Sequence, residues 1–89
     1  MPVRQLEIVN MRGLHARASA KLVETVERFD AAATIRAGGE SADGDSIMGL
    51  LMLAAAMGTV IEVETRGPEA APLMEAIAAL VAQRFGEES

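Results

Sequence analysis

Two helical stripes set among short strand segments restrict how this 89-residue chain can fold. Over residues 16 to about 29, Leu22, Val26 and Phe29 recur at i, i+4 and i+7, and Ala20 and Val23 widen the stripe, so a helix there buries one face. The second stripe is Ala70, Leu73, Met74, Ile77, Leu80 and Val81. Pro68 can stand in its first turn at no hydrogen-bond cost, and Gly86 supplies its stop. Elsewhere the period shortens to two. Residues 3–9 set Leu6 and Ile8 against Gln5 and Glu7, and residues 60–65 set Ile61 and Val63, which should face the core, against Glu62 and Glu64. Gly38-Gly39 takes the positive φ values of a tight hairpin turn, although the strand pattern on either side is short and weak. Ser46 reads as the N-cap of a short helix running to about residue 53. The resulting order is β-α-β-β-α-β-α. Strands so few and so interrupted do not make a parallel doubly wound sheet; they predict an α+β fold, an antiparallel sheet with its helices on one face.

Length and composition remove several functions. A chain of 89 residues makes one domain, residues 1–89, with a modest core and no room for an enclosed multi-substrate active site. The absence of cysteine excludes disulfides and thiolate chemistry and suits a reducing cytoplasm. No apolar signal region opens the chain, and the longest apolar stretch, residues 47–57, is interrupted by Gly49 and too short to span a bilayer. The expectation is a cytoplasmic protein without membrane insertion. A net charge of −5, no tryptophan or tyrosine, and only Phe29 and Phe85 as aromatics leave no basic stacking surface for nucleic acid.

The only histidine stands between a strand and a helix, in Gly13-Leu14-His15-Ala16-Arg17-Ala18-Ser19-Ala20. The first turn of a helix leaves backbone N–H groups without intrahelical partners, and the peptide dipoles add positive potential, so an anion beside His15 would be stabilised. A neutral imidazole is a good nucleophile near neutral pH. Although the chain is acidic, no Asp or Glu lies between Glu7 and Glu24, whereas Arg12, Arg17 and Lys21 do. Arg17 falls early in the helix, where its guanidinium can fork onto phosphate oxygens. A histidine that accepts and passes on a phosphoryl group is one reading. A histidine that serves only as an N-cap or surface residue is the other, and spacing and charge leave both open.

The run Arg12-Gly13-Leu14-His15-Ala16-Arg17, with Ser46-Ile47-Met48-Gly49-Leu50 further on, resembles the HPr family, the histidine phosphocarriers of the phosphoenolpyruvate-dependent phosphotransferase system. The resemblance covers nearly the whole chain. It implies an open-faced sandwich, four antiparallel strands with three helices on one face, and supports residues 34–36 and 40–42 as the hairpin strands. It also implies a relay: Nδ1 of His15 takes a phosphoryl group from Enzyme I, itself charged from phosphoenolpyruvate, and yields it to a histidine of an Enzyme IIA protein. By the same resemblance the catalytic pair is His15 and Arg17, and the phosphoryl oxygens are held by the backbone of Ala16 and Arg17 and by the Arg17 side chain. No cofactor is implied, and a lone histidine lacks companions at metal-ligand spacing.

Further expectations follow from that likeness. Ser46 matches a serine phosphorylated in some members by a dedicated HPr kinase, although it serves equally well as an N-cap, with Asp43 and Asp45 already making its surroundings negative. Ala20, Ile47, Met48 and Leu51 match a docking patch. Nearly continuous apolar sequence on so short a helix cannot all face inward, so Leu50 and Leu53 are expected in the core and Ile47 and Met48 outside, with methionine suited to several partners. Ala18 stands where many members have proline, which restores an N–H that could point toward a phosphate or toward water. The runs at residues 18–21 and 50–56 look more like the nitrogen-related regulatory branch than the sugar-uptake branch. A separate class, a small α+β ligand-binding or protein-interaction domain with His15 never phosphorylated, is the alternative.

Overall fold

Alternation along β4 (Val60–Arg66) sets the frame of the computed structural model, which describes residues 2–89. Ile61, Val63 and Thr65 are buried on one side of the strand, while Val60 and Glu62 turn to the other. β4 lies inside a four-stranded sheet of order β1-β4-β2-β3, in which β1 is Val3–Glu7, β2 Ala32–Ala37 and β3 Glu40–Asp43. Every pairing is antiparallel. Register places Leu6 opposite Ile61, Ile35 opposite Val63, and Ala42 opposite Ile35, so one face of the sheet is continuously apolar.

Three helices cover that face: α1 (Ala16–Glu27), α2 (Ile47–Met52) and α3 (Ala70–Ala82). The core joins Ile8, Ile35, Ile61 and Val63 of the sheet side to Leu22, Leu50, Leu73 and Ile77 of the helices, all fully buried. Each such side chain stabilises the fold by about 1.5–3 kcal/mol relative to exposure. The opposite face is open and polar. There Arg36 donates to Glu62 at 2.8 Å and Glu64 at 2.7 Å, tying β2 to β4 across the ladder.

The hairpin forms where the glycine pair stands, with φ of +58° at Gly38 and +84° at Gly39, the twist that matches two antiparallel strands. Element ends differ from the sequence expectation for local reasons. β1 closes at Glu7 instead of residue 9; Ile8 still donates to Thr59 at 2.9 Å and accepts from Gly58 at 2.7 Å, but it pairs with the turn ahead of β4. β2 is longer than expected because it is central and finds ladder partners in β4 as far as Ala32 opposite Arg66. α1 ends before Phe29, with Arg28 as its C-cap, and α2 ends with Leu53 as its C-cap. Pro68 lies ahead of α3 instead of in its first turn. The N-cap is Glu69, whose carboxylate accepts the Asp30 N–H at 2.6 Å and leaves its own helix uncapped.

α3 also stops short of Gly86. After Gln83 the chain makes a left-handed turn through Arg84, Phe85 and Gly86, with φ of +58°, +54° and +78°. Two non-glycine residues in that region are unfavourable by roughly 1–2 kcal/mol each. Complete burial of Phe85 offsets this, and the turn redirects residues after 86 toward the start of α1.

Candidate functional site

His15 is the N-cap of α1, with extended backbone at φ −76° and ψ −178°. Three contacts fix the loop that delivers it. Asn10, wholly buried, donates from Nδ2 to the Gly13 carbonyl at 2.9 Å, while the Gly13 amide returns a bond to the Asn10 carbonyl at 3.2 Å. Leu14, buried as well, donates its N–H to Ala55 at 2.9 Å. Gly13 has φ +64°, and a Cβ there would lie 2.9 Å from the Ala56 Cα, so only glycine fits. The segment after α2 thus serves as the wall against which the His15 loop is set.

Both ring nitrogens of His15 are engaged. Nδ1 accepts the N–H of Arg17 at 3.3 Å, a capping bond inside the first turn. Nε2 is hydrogen-bonded to Oε2 of Glu87, whose side chain is only 11% exposed. The other Glu87 oxygen, Oε1, accepts the second Nδ2 hydrogen of Asn10 at 2.9 Å. The Asn10 bond, followed by the His15 bond and the nearby Arg17 guanidinium, holds the Glu87 carboxyl below its ordinary value against the opposing effect of burial.

Cations collect beside this pair. Arg12, Arg17 and Lys21 line an open depression of about 370 Å³ together with Gly86 and Glu87. Lys21 is committed to the C-terminal turn, donating from Nζ to the Phe85 carbonyl at 2.6 Å. Arg17 is exposed, and among the described residues it forms no ion pair, so its guanidinium is available to an incoming anion.

The other residues singled out from sequence fall into two groups. Ala16 and Arg17 are exposed at the helix start. Ala18 is fully buried, because it shares the core-facing row of Leu22 and Val26 at i, i+4 and i+8. Ser46 caps α2, accepting the Gly49 N–H at 3.0 Å, and is half-buried. Met48 is 69% and Ile47 39% exposed, while Leu50 and Leu53 are in the core. Leu51 and, on the adjoining α1, Ala20 are half-buried. Met52 is 73% exposed.

Over residues 3–83 the sequence matches the family model described as the PTS HPr component phosphorylation site. The chain belongs to the HPr family. It is 45% identical over 84 residues to the phosphocarrier protein HPr of Cupriavidus necator, a match covering 94% of each chain. Its identity to the phosphocarrier protein NPr of Shewanella violacea is 44% over 86 residues, covering 97% of this chain and 94% of the other. Among solved structures, an HPr from Thermoanaerobacter tengcongensis superposes with a TM-score of 0.94 at 30% identity, with each chain fully covered. An HPr from Bacillus anthracis superposes with a TM-score of 0.86 at 34% identity, covering 90% of this chain and 95% of that one, so the open sheet with three helices is the HPr fold, as the resemblance implied.

Asn10 and Glu87 were not visible as site residues in the sequence. They lie 77 positions apart, and Glu87 lies 72 from His15, beyond the reach of any local pattern.

Proposed function

We propose that this HPr-family chain carries phosphoryl groups on Nδ1 of His15, between Enzyme I and an Enzyme IIA protein. The observation that carries the reading is the placement of Nδ1 against the Arg17 amide at the mouth of α1, beside an Arg17 guanidinium without an ionic partner. In the first step the Nδ1 lone pair forms a bond to phosphorus as the bond from phosphorus to the donor histidine breaks, and that electron pair returns to the donor ring. The second step repeats the exchange onto a histidine of Enzyme IIA. As the phosphoryl group arrives, the Arg17 N–H passes from Nδ1 to a phosphoryl oxygen. The Ala16 N–H and the Arg17 guanidinium supply further donors where equatorial charge develops.

Shallow, reversible docking suits an exposed acceptor. Ile47 and Met48, with Ala20 and Leu51 at their margin, form the apolar contact surface in this reading. A phosphate on Ser46, added by a dedicated kinase, would stand next to that surface and alter docking through charge. Family membership favours the carrier over a ligand-binding domain in which His15 stays unmodified. Relatives named HPr and NPr are equally similar, so choice of Enzyme IIA, for sugar uptake or for nitrogen-related regulation, rests with surface contacts.

The test is a chase. Protein phosphorylated by Enzyme I and phosphoenolpyruvate is mixed with a purified Enzyme IIA of each branch, and the fate of the group is followed by intact mass. Transfer to at least one Enzyme IIA supports the carrier reading; a group accepted and never yielded contradicts it.

A further inference from the structure

Asn10 is the least explained polar residue of the fold: wholly buried, with its Oδ1 lacking any partner. Leaving a buried carbonyl unsatisfied is unfavourable, so the arrangement calls for a reason. Turning the amide over would not help, since Nδ2 faces two acceptors, the Gly13 carbonyl and Glu87 Oε1, and an oxygen there would meet both lone pairs. The orientation is therefore fixed by its neighbours. One Nδ2 hydrogen of Asn10 holds the loop that carries His15, and the other holds the carboxylate that touches His15.

A carboxylate can only accept, so the ring nitrogen facing Glu87 must be the one carrying hydrogen. In the neutral imidazole that leaves Nδ1 with the lone pair, on the side of the Arg17 amide. We infer that Asn10 and Glu87 act as a positioning dyad, with Asn10 aiming Glu87 and Glu87 fixing His15 in the Nε2–H tautomer that frees Nδ1 for phosphoryl transfer. The inference deepens the proposed carrier function and rests on it for its consequence in transfer.

The dyad has a second effect within the same step. When the Nδ1 lone pair is given to phosphorus, the ring gains positive charge while Nε2 keeps its proton. Glu87 is already in place to accept a stronger hydrogen bond from that nitrogen, so the carboxylate does not have to move as the charge develops. Position comes from Phe85, buried in the core two residues earlier, and from Lys21, which holds the Phe85 carbonyl at 2.6 Å. Glu87 is thus fastened from behind by the left-handed turn and from the side by Asn10.

Ring nitrogen chemical shifts of His15, recorded with ¹⁵N-labelled protein at neutral pH, test the inference without any partner. The parent should show protonated Nε2 and unprotonated Nδ1. Glu87→Gln, which leaves the bond from Asn10 to Gly13 intact, should give a mixture of tautomers and slow phosphorylation by Enzyme I at least about tenfold. Asn10→Ala should show the same tautomer mixture; Asn10→Asp, which places an anion against Glu87, should be slower still. A merely structural role for Asn10 would lower the melting temperature and leave the ring shifts at their parental values. Parental tautomer and parental rate in a folded Glu87→Gln protein would overturn the dyad. If the parent itself is never phosphorylated, the carrier reading fails while the tautomer measurement still judges the geometry.

Discussion

Gly13 is pressed against the backbone of Ala55: the Leu14 N–H that follows it donates to the Ala55 carbonyl at 2.9 Å, and a Cβ on Gly13 would overlap that same oxygen. Because φ is +64° at this position, alanine would meet two penalties, a left-handed backbone and a collision with a backbone atom that cannot rotate away. Gly13→Ala should lose about 2–4 kcal/mol of stability and slow phosphorylation of His15 in the fraction that folds. Urea denaturation checks the first effect; a loss below about 0.5 kcal/mol would show that the wall at Ala55 yields easily.

Phe85 couples stability to the site. Phe85→Ala should lower stability by about 3–5 kcal/mol, the range for removing a buried aromatic. Because Phe85 anchors the turn that carries Glu87, the His15 ring shifts should also lose their single tautomer. Leu80, a partly buried core neighbour on α3, gives the comparison: Leu80→Ala should weaken the fold and leave the tautomer unchanged. A tautomer that moved equally in both variants would mean that general loosening, and not Glu87, is being read.

Stability should depend on carboxylates in the acid range. Glu64 is lowered first by its bond from Arg36 and Glu87 first by its bond from Asn10, each from an ordinary value of 4.5. A carboxyl with a lowered folded-state pKa binds protons more readily when unfolded. Its contribution is therefore complete above the ordinary value and is lost as pH falls through the folded one. The urea midpoint should hold near pH 7 and decline from about pH 5 downward, less steeply in Glu64→Gln. Identical acid slopes in parent and variant would remove Glu64 from the explanation.

Ser46 separates a cap from a switch. Ser46→Ala removes the acceptor for the Gly49 N–H and should destabilise by about 1 kcal/mol. Ser46→Asp keeps a capping oxygen and adds charge beside Ile47 and Met48, so it should fold well and yet slow transfer from Enzyme I far more than alanine does. Equal transfer rates for the two variants would count against regulation at this serine.

Much of this fold could be read from local chemistry. The stripe of Leu22 and Val26, the glycine pair at the hairpin, the Ser46 cap, and the division of α2 into buried Leu50 and exposed Met48 each follow from one periodicity or one turn. His15 was legible as a candidate site residue, because a lone histidine at a helix start amid three cations is a local arrangement, although spacing and charge alone did not choose between acceptor and cap. What escaped depends on long-range geometry. Nothing near Glu87 signals that it meets His15, and Gly86 looked like a simple helix stop when the reversal in fact begins at Arg84 and is held by burial of Phe85.

The most direct test of the phosphoryl-carrier account is incubation with phosphoenolpyruvate and a purified Enzyme I, followed by intact mass. The account predicts one added phosphoryl group, labile in acid as expected of a phosphohistidine, and absent from the His15→Ala protein. An unmodified parent with every Enzyme I tried, or a group that persists in His15→Ala, would contradict it.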